Sequence, residues 1–119
     1  MTEYRLGALE ATVEDNPSGP LCIRLRGESE ASDAAVQLRG LFDAHFGVAS
    51  IRGLELDFRG LDYMNSSTFP PVVELIRKLH EVGAKITVLF SEQKGWQRTP
   101  FTAISAIASV YDNLTVRAC

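Results

Sequence analysis

The sequence has 119 residues, is 45% apolar and carries a net charge of -3. That length suits one domain with an ordinary packed core, here residues 1–119, and leaves no room for a second. An acidic balance without a concentrated basic face argues against nucleic acid, and no apolar run approaches the ~18 residues of a membrane span. Met1 to Glu10 lacks the apolar core of a signal peptide, so a soluble, cytoplasmic protein is expected.

Tyr4 to Val13 alternates weakly and predicts a first edge strand. Asn16-Pro17-Ser18-Gly19-Pro20 collects turn formers, and Leu21, Ile23 and Leu25 then alternate with Cys22, Arg24 and Arg26 as a half-buried strand. The two strands predict a hairpin. Ser32-Asp33 is a good helix start, Leu38, Leu41, Phe42 and Phe46 keep helical spacing, and Gly47 is the expected stop. Ile51 to Phe58 reads as a strand through Leu54, Leu56 and Phe58.

Asn65-Ser66-Ser67-Thr68 leads into Val72, Val73, Leu75, Ile76, Leu79 and Val82, the spacing of a buried helical stripe that Gly83 closes. Each proline ring clashes with the carbonyl four residues earlier, so Pro70 and Pro71 prevent a regular helix from running through Ser66 and Ser67. Thr68 is the expected N-cap, with both serines in the loop ahead of it. Lys85 to Phe90 predicts a strand, Ser91 to Thr99 a polar loop carrying Trp96, Pro100-Phe101 a short helix start, and Leu114-Thr115-Val116 a last strand. The order β-β-α-β-α-β-α-β implies an α/β domain with a mostly parallel sheet of four or five strands, one antiparallel edge and three helices.

Residues that could carry catalysis are scattered. No Gly-rich phosphate loop follows a strand, and Ser66 and Ser67 do not lie in a Gly-x-Ser-x-Gly turn. His45 and His80 fall on different helices, and neither Cys22 nor Cys119 has a partner at ligand spacing. No metal, cofactor or enzymatic activity is expected.

Leu21-Cys22-Ile23-Arg24-Leu25-Arg26-Gly27-Glu28 resembles the second strand and following Gly-Glu of the STAS domain, a family that includes bacterial anti-sigma factor antagonists. The stretch from Leu54 through Asp62-Tyr63-Met64-Asn65-Ser66-Ser67 resembles that family's strand, loop and Asp-Ser-Ser-Gly signature, and the likeness covers nearly the whole chain. In the family the first serine after the Asp is phosphorylated by a partner kinase that is itself the anti-sigma factor, and a phosphatase restores binding. By position the resemblance implies Ser66 as phosphoacceptor, with Ser67 and Thr68 as alternatives. It also implies a partner surface of Glu28, Glu30, Asn65, Ser66, Ser67, Thr68 and Phe69. Asn65 stands where the family has Asp and Thr68 where it has Gly, which marks a divergent STAS-like branch.

Phosphate adds a charge of about -1.5 to -2. At a helix N-terminus it is expected to gain hydrogen bonds from unpartnered backbone N–H groups. Taken without the resemblance, Asn65 to Thr68 are simply cap and turn formers. Three functions follow: a phospho-regulated partner-binding switch, an unphosphorylated STAS-like subunit of a transport or signalling complex, or a small hydrolase or ligand-binding protein.

Overall fold

The computed structural model describes residues 1–15, 17–29 and 33–118. The elements run β1 (Thr2–Leu6), β2 (Leu9–Asp15), β3 (Leu21–Ser29), α1 (Ala34–Arg52), β4 (Leu54–Met64), α2 (Phe69–Glu81), β5 (Ile86–Phe90), α3 (Gly95–Ala108) and β6 (Leu114–Ala118). A 3-10 turn, Ser66–Thr68, joins β4 to α2. The strands lie side by side in chain order. The β1–β2 and β2–β3 pairs are antiparallel and the remaining three are parallel.

The expected α/β architecture is present, with six strands in place of four or five and two antiparallel pairings in place of one. The extra strand comes from Gly7. Leu6 pairs with Leu9, so Gly7 and Ala8 form a two-residue hairpin, and the positive φ of 72° at Gly7 suits the first central position of a type II′ turn. The segment read as one strand is thus folded back on itself.

Each parallel crossover moves to the next strand in the same direction, and right-handed crossovers of that kind leave their helices on one face. The ring contacts agree. Tyr4 on β1 meets His45 on α1, while Phe58 on β4, Phe90 on β5 and Phe69 on α2 all meet Phe101 on α3. The core fills this face with Ile23, Leu25, Leu56 and Phe58 from the sheet against Leu38 and Phe42 of α1 and Val72, Ile76 and Leu79 of α2. Val73 and Val82, which share the apolar run of α2, are exposed.

The opposite face is polar. There Asp57 is tucked beneath Arg59 and Arg24. Burial pushes its carboxyl upward, but the Arg59 side chain and N–H, helped by Arg24, outweigh that and hold it below the ordinary carboxylate range. Cys22, half-buried on this face, has its thiol pushed up, chiefly by burial, which keeps it protonated and unreactive at neutral pH.

Three boundaries differ from expectation. Helix α1 continues past Gly47 to Arg52 and stops at Gly53, whose φ is 88°. Ile51 therefore belongs to the helix and not to the next strand. Strand β4 extends to Met64 because it carries one extra residue between Asp57 and Gly60 and another between Leu61 and Tyr63 relative to β3. These bulges replace alternation with burial at Phe58, Leu61 and Met64. Helix α3 begins at Gly95, so Trp96 lies in its first turn and Pro100 inside it.

Candidate functional site

Ser66 lies where β4 ends beside the end of β3. The register pairs Glu28 with Tyr63 and Ser29 with Met64, and the Asn65 N–H then donates to the Ser29 carbonyl at 3.0 Å. Asn65 is extended (φ -74°, ψ 161°), after which the chain turns sharply through Ser66–Thr68. The Thr68 N–H donates to the Asn65 carbonyl at 3.1 Å, and the Phe69 N–H donates to the Ser66 carbonyl.

A chain of side-chain hydrogen bonds runs beneath this turn. The Thr68 hydroxyl donates to Asn65 Oδ1 at 2.6 Å, and the Ser67 hydroxyl donates to the same oxygen at 2.9 Å. Ser29 Oγ lies 2.9 Å from Thr68 Oγ1. Each hydroxyl has one proton, and that of Thr68 is committed to Asn65, so Ser29 must be the donor to Thr68. Thr68 is 0% and Ser29 1% exposed, so this chain is sealed from water at its inner end. The Ser66 hydroxyl is exposed and has no partner among the described residues.

The structure corrects the expected role of Thr68. Its backbone is already helical (φ -87°, ψ -12°) and its side chain caps nothing. The reason is chemical: an N-cap side chain bonds the N–H two or three residues on, and here those positions are Pro70 and Pro71, which have none. The two serines correspondingly lie in a 3-10 turn and not in an open loop.

The same prolines change the expectation for a phosphate. The first-turn donors of α2 are either absent (Pro70, Pro71) or bonded within the 3-10 turn (Thr68, Phe69). The N–H groups of Ser66 and Ser67 remain without a partner among the described residues. A negatively charged group at this turn would therefore meet those two N–H groups and not the first-turn donors of α2.

The remaining expected site residues divide. Glu28 is exposed on β3 next to Tyr63. Glu30 lies outside the described residues. Ser67 is exposed, Asn65 partly so, and Phe69 is half-buried against Phe101. Thr68, fully buried, shapes the turn from below and presents no atom to a partner.

Sequence reasoning passed over Tyr63, Met64 and Trp96 as site residues. Trp96 donates its indole N–H to the Leu61 carbonyl at 3.2 Å and meets the exposed Tyr63 ring at 6.5 Å. Met64, Phe69, Trp96, Thr99 and Pro100 surround an apolar recess of about 240 Å³ that opens beside Ser66. Tyr63 sits beyond the last expected strand residue and Trp96 in an expected loop, so their meeting had no local signal.

A second recess, about 390 Å³, lies between α2 and α3 against Val73, Ile76, Arg77, Ile107, Val110 and Tyr111. It is lined by no carboxylate, imidazole or thiol, and so holds neither a general base nor a strong nucleophile. The two histidines are engaged in packing: His45 Nε2 lies 2.9 Å from the Tyr4 hydroxyl, and His80 stacks on Tyr111 with Nδ1 2.7 Å from Asn113 Oδ1. Among the described residues no group of three or more His, Cys, Asp or Glu side chains could hold a metal ion, and no helix is long and apolar enough to cross a membrane.

A scan against protein families finds no match, and no curated protein matches the sequence. Solved structures do match. An anti-sigma factor antagonist from Mycobacterium paratuberculosis superposes with a TM-score of 0.65 at 18% identity, over 90% of this chain and 85% of that one. The anti-sigma factor antagonist SpoIIAA in its unphosphorylated form gives 0.58 at 22% identity, over 84% and 96%. A protein of the DUF3478 family with a SpoIIAA-like fold, from Shewanella loihica PV-4, gives 0.56 at 14% identity, over 98% and 91%. The chain therefore has the SpoIIAA-like, STAS-like fold of the anti-sigma factor antagonists.

Proposed function

We propose that this protein is a bacterial, cytoplasmic protein-binding switch of the partner-switching kind, with Ser66 as its phosphoacceptor. The observation that carries the reading is the state of that hydroxyl. It is exposed at the end of β4 and bonded to none of the described residues, while its neighbours Ser67 and Thr68 are both tied to Asn65. The SpoIIAA-like fold supports the same position, since solved structures of this shape include anti-sigma factor antagonists.

The partner surface comprises Glu28, Glu30, Asn65, Ser66, Ser67 and the outer edge of Phe69, with Tyr63 and the recess beside it adding apolar area. In the unmodified state a partner desolvates Ser66 at little cost, because one hydroxyl can be paired or left at the rim. A phosphate brings a charge of about -1.5 to -2 to the same spot, and desolvating it without a cationic partner is prohibitive. The partner is a kinase of the anti-sigma type, and a phosphatase resets the switch. The chain itself acts without catalysis.

The test is affinity capture of the protein from its own cells with phosphosite mapping in the same sample. A kinase in the unphosphorylated capture, absent when Ser66 carries phosphate, is the expected result. Capture of the same partner irrespective of phosphate would overturn the reading.

A further inference from the structure

We propose that Asn65 is the positioning residue that selects Ser66 over Ser67 for phosphorylation, a role that rests on the reading of this turn as the modified site. Two adjacent serines share an exposed turn, and accessibility alone does not separate them. Their hydroxyls do differ. Asn65 Oδ1 has two lone pairs, and it accepts from Ser67 at 2.9 Å and from Thr68 at 2.6 Å. The Thr68 bond is in turn backed by the buried Ser29 hydroxyl. Ser29, Thr68 and the extended Asn65 backbone fix the amide, and the amide fixes the Ser67 side chain against its own turn.

Phosphoryl transfer needs the acceptor oxygen free to point away from the protein. The serine Oγ forms a bond to the γ-phosphorus of a nucleoside triphosphate. The bond from that phosphorus to the bridging oxygen breaks, the nucleoside diphosphate leaves, and the hydroxyl proton passes to a base on the kinase. Ser67 must first surrender its hydrogen bond to Asn65 and change rotamer. Ser66 surrenders nothing. One hydrogen bond of ordinary net strength corresponds to a bias of about three- to tenfold.

The position is one where the family signature has Asp and this chain has Asn. A carboxylate is an acceptor only, so Asp at position 65 can receive both hydroxyls as the amide oxygen does. The charge at this position is dispensable for selection, and the acceptor is not.

The experiment compares the natural protein with Asn65→Ala and Asn65→Asp. Each is incubated with ATP and a soluble extract of the source cells, and phosphate on Ser66 and Ser67 is quantified by mass spectrometry. The natural protein and Asn65→Asp should carry phosphate on Ser66 in about three- to tenfold excess. In Asn65→Ala that ratio should fall by about three- to tenfold. An unchanged ratio in folded Asn65→Ala, or loss of selection in Asn65→Asp, overturns the positioning role while leaving Ser66 as acceptor. If the extract phosphorylates none of the three proteins, the acceptor reading itself falls and the proposal with it. Three-bond couplings across χ1 in the natural protein need no kinase and cover the case in which Asn65→Ala does not fold. They should report one rotamer for Ser67 and an average for Ser66, and averaging at Ser67 overturns the proposal.

Discussion

Gln97 donates its side-chain amide to the Phe58 carbonyl at 2.9 Å, across 39 residues of chain. The same amide donates to the Leu61 carbonyl at 3.0 Å, and its oxygen accepts the Ser91 N–H at 2.8 Å. Strand β4 pairs with β5 only as far as Asp57, and one fully buried glutamine gathers these two carbonyls at the start of α3. Replacing it by Leu, similar in size but without the amide, should leave the Phe58 carbonyl and the Ser91 N–H unpaired. Leu61 keeps the Trp96 indole as a donor. A loss of about 2–4 kcal/mol of unfolding free energy is expected. Urea unfolding at neutral pH checks it, and a loss below about 0.5 kcal/mol would show that water replaces the amide without penalty.

The stripe of α2 makes a second prediction. Val72, Leu75, Ile76 and Leu79 are all buried, as their spacing of three and four requires. Ile76→Ala should lower stability by about 2–5 kcal/mol, the range for truncating a fully buried aliphatic side chain. A thermal midpoint unchanged from that of the natural protein would contradict the observed face.

What the sequence disclosed follows the range of the interactions involved. The α2 stripe and its stop at Gly83 are local: Gly83 has φ 75°, its N–H donates to His80 and the next N–H to Leu79, the two bonds of a Schellman ending. Gly7 hid its hairpin because Leu6-Gly7-Ala8-Leu9 offers none of the Asn, Asp or Pro that usually accompany such turns. The β4 bulges broke the alternation that strand recognition relies on, and Pro100 suggested a helix start five residues too late. Ser66 was singled out as a candidate by its position within a motif. The hydroxyl chain that sets it apart was not, because Ser29 and Thr68 meet only when β3 and β4 are paired. One error was readable in advance: Thr68 could not cap a helix whose next donors are proline nitrogens.

Asp57 predicts the response to acid. Its folded pKa is depressed below the unfolded value of 3.8, chiefly because Arg59 and Arg24 outweigh the burial that opposes ionisation. A carboxylate depressed in this way adds stability that is fully present above the unfolded pKa and is lost as pH falls through the folded one. Asp57→Asn should therefore be less stable than the natural protein at pH 7, with the difference shrinking as the pH drops below about 4. Thermal melts across that range check the sign. A gap that widens in acid would mean that the Arg59 contacts do not hold the carboxylate ionised.

The switch gives the last prediction, and two substitutions separate its readings. Ser66→Ala removes a hydroxyl that bonds nothing among the described residues and caps no helix, so stability should change by less than about 0.5 kcal/mol. Partner binding should persist, and its response to kinase should vanish. Were Ser66 only a turn former using its side chain, the same change would cost about 0.5–2 kcal/mol and leave affinity untouched. Ser66→Asp places about one negative charge where phosphate has up to two. It should weaken binding less than phosphorylation does, and the fold should tolerate it, because the Ser66 side chain is exposed and bonds none of the described residues. Ser67→Ala should keep most of the kinase response. Isothermal titration of the captured partner against the natural protein and the three variants, each with and without kinase treatment, decides among these outcomes. If Ser66→Ala still loses its partner after treatment, the phosphate that matters sits elsewhere; if the natural protein never loses it, the turn is structural.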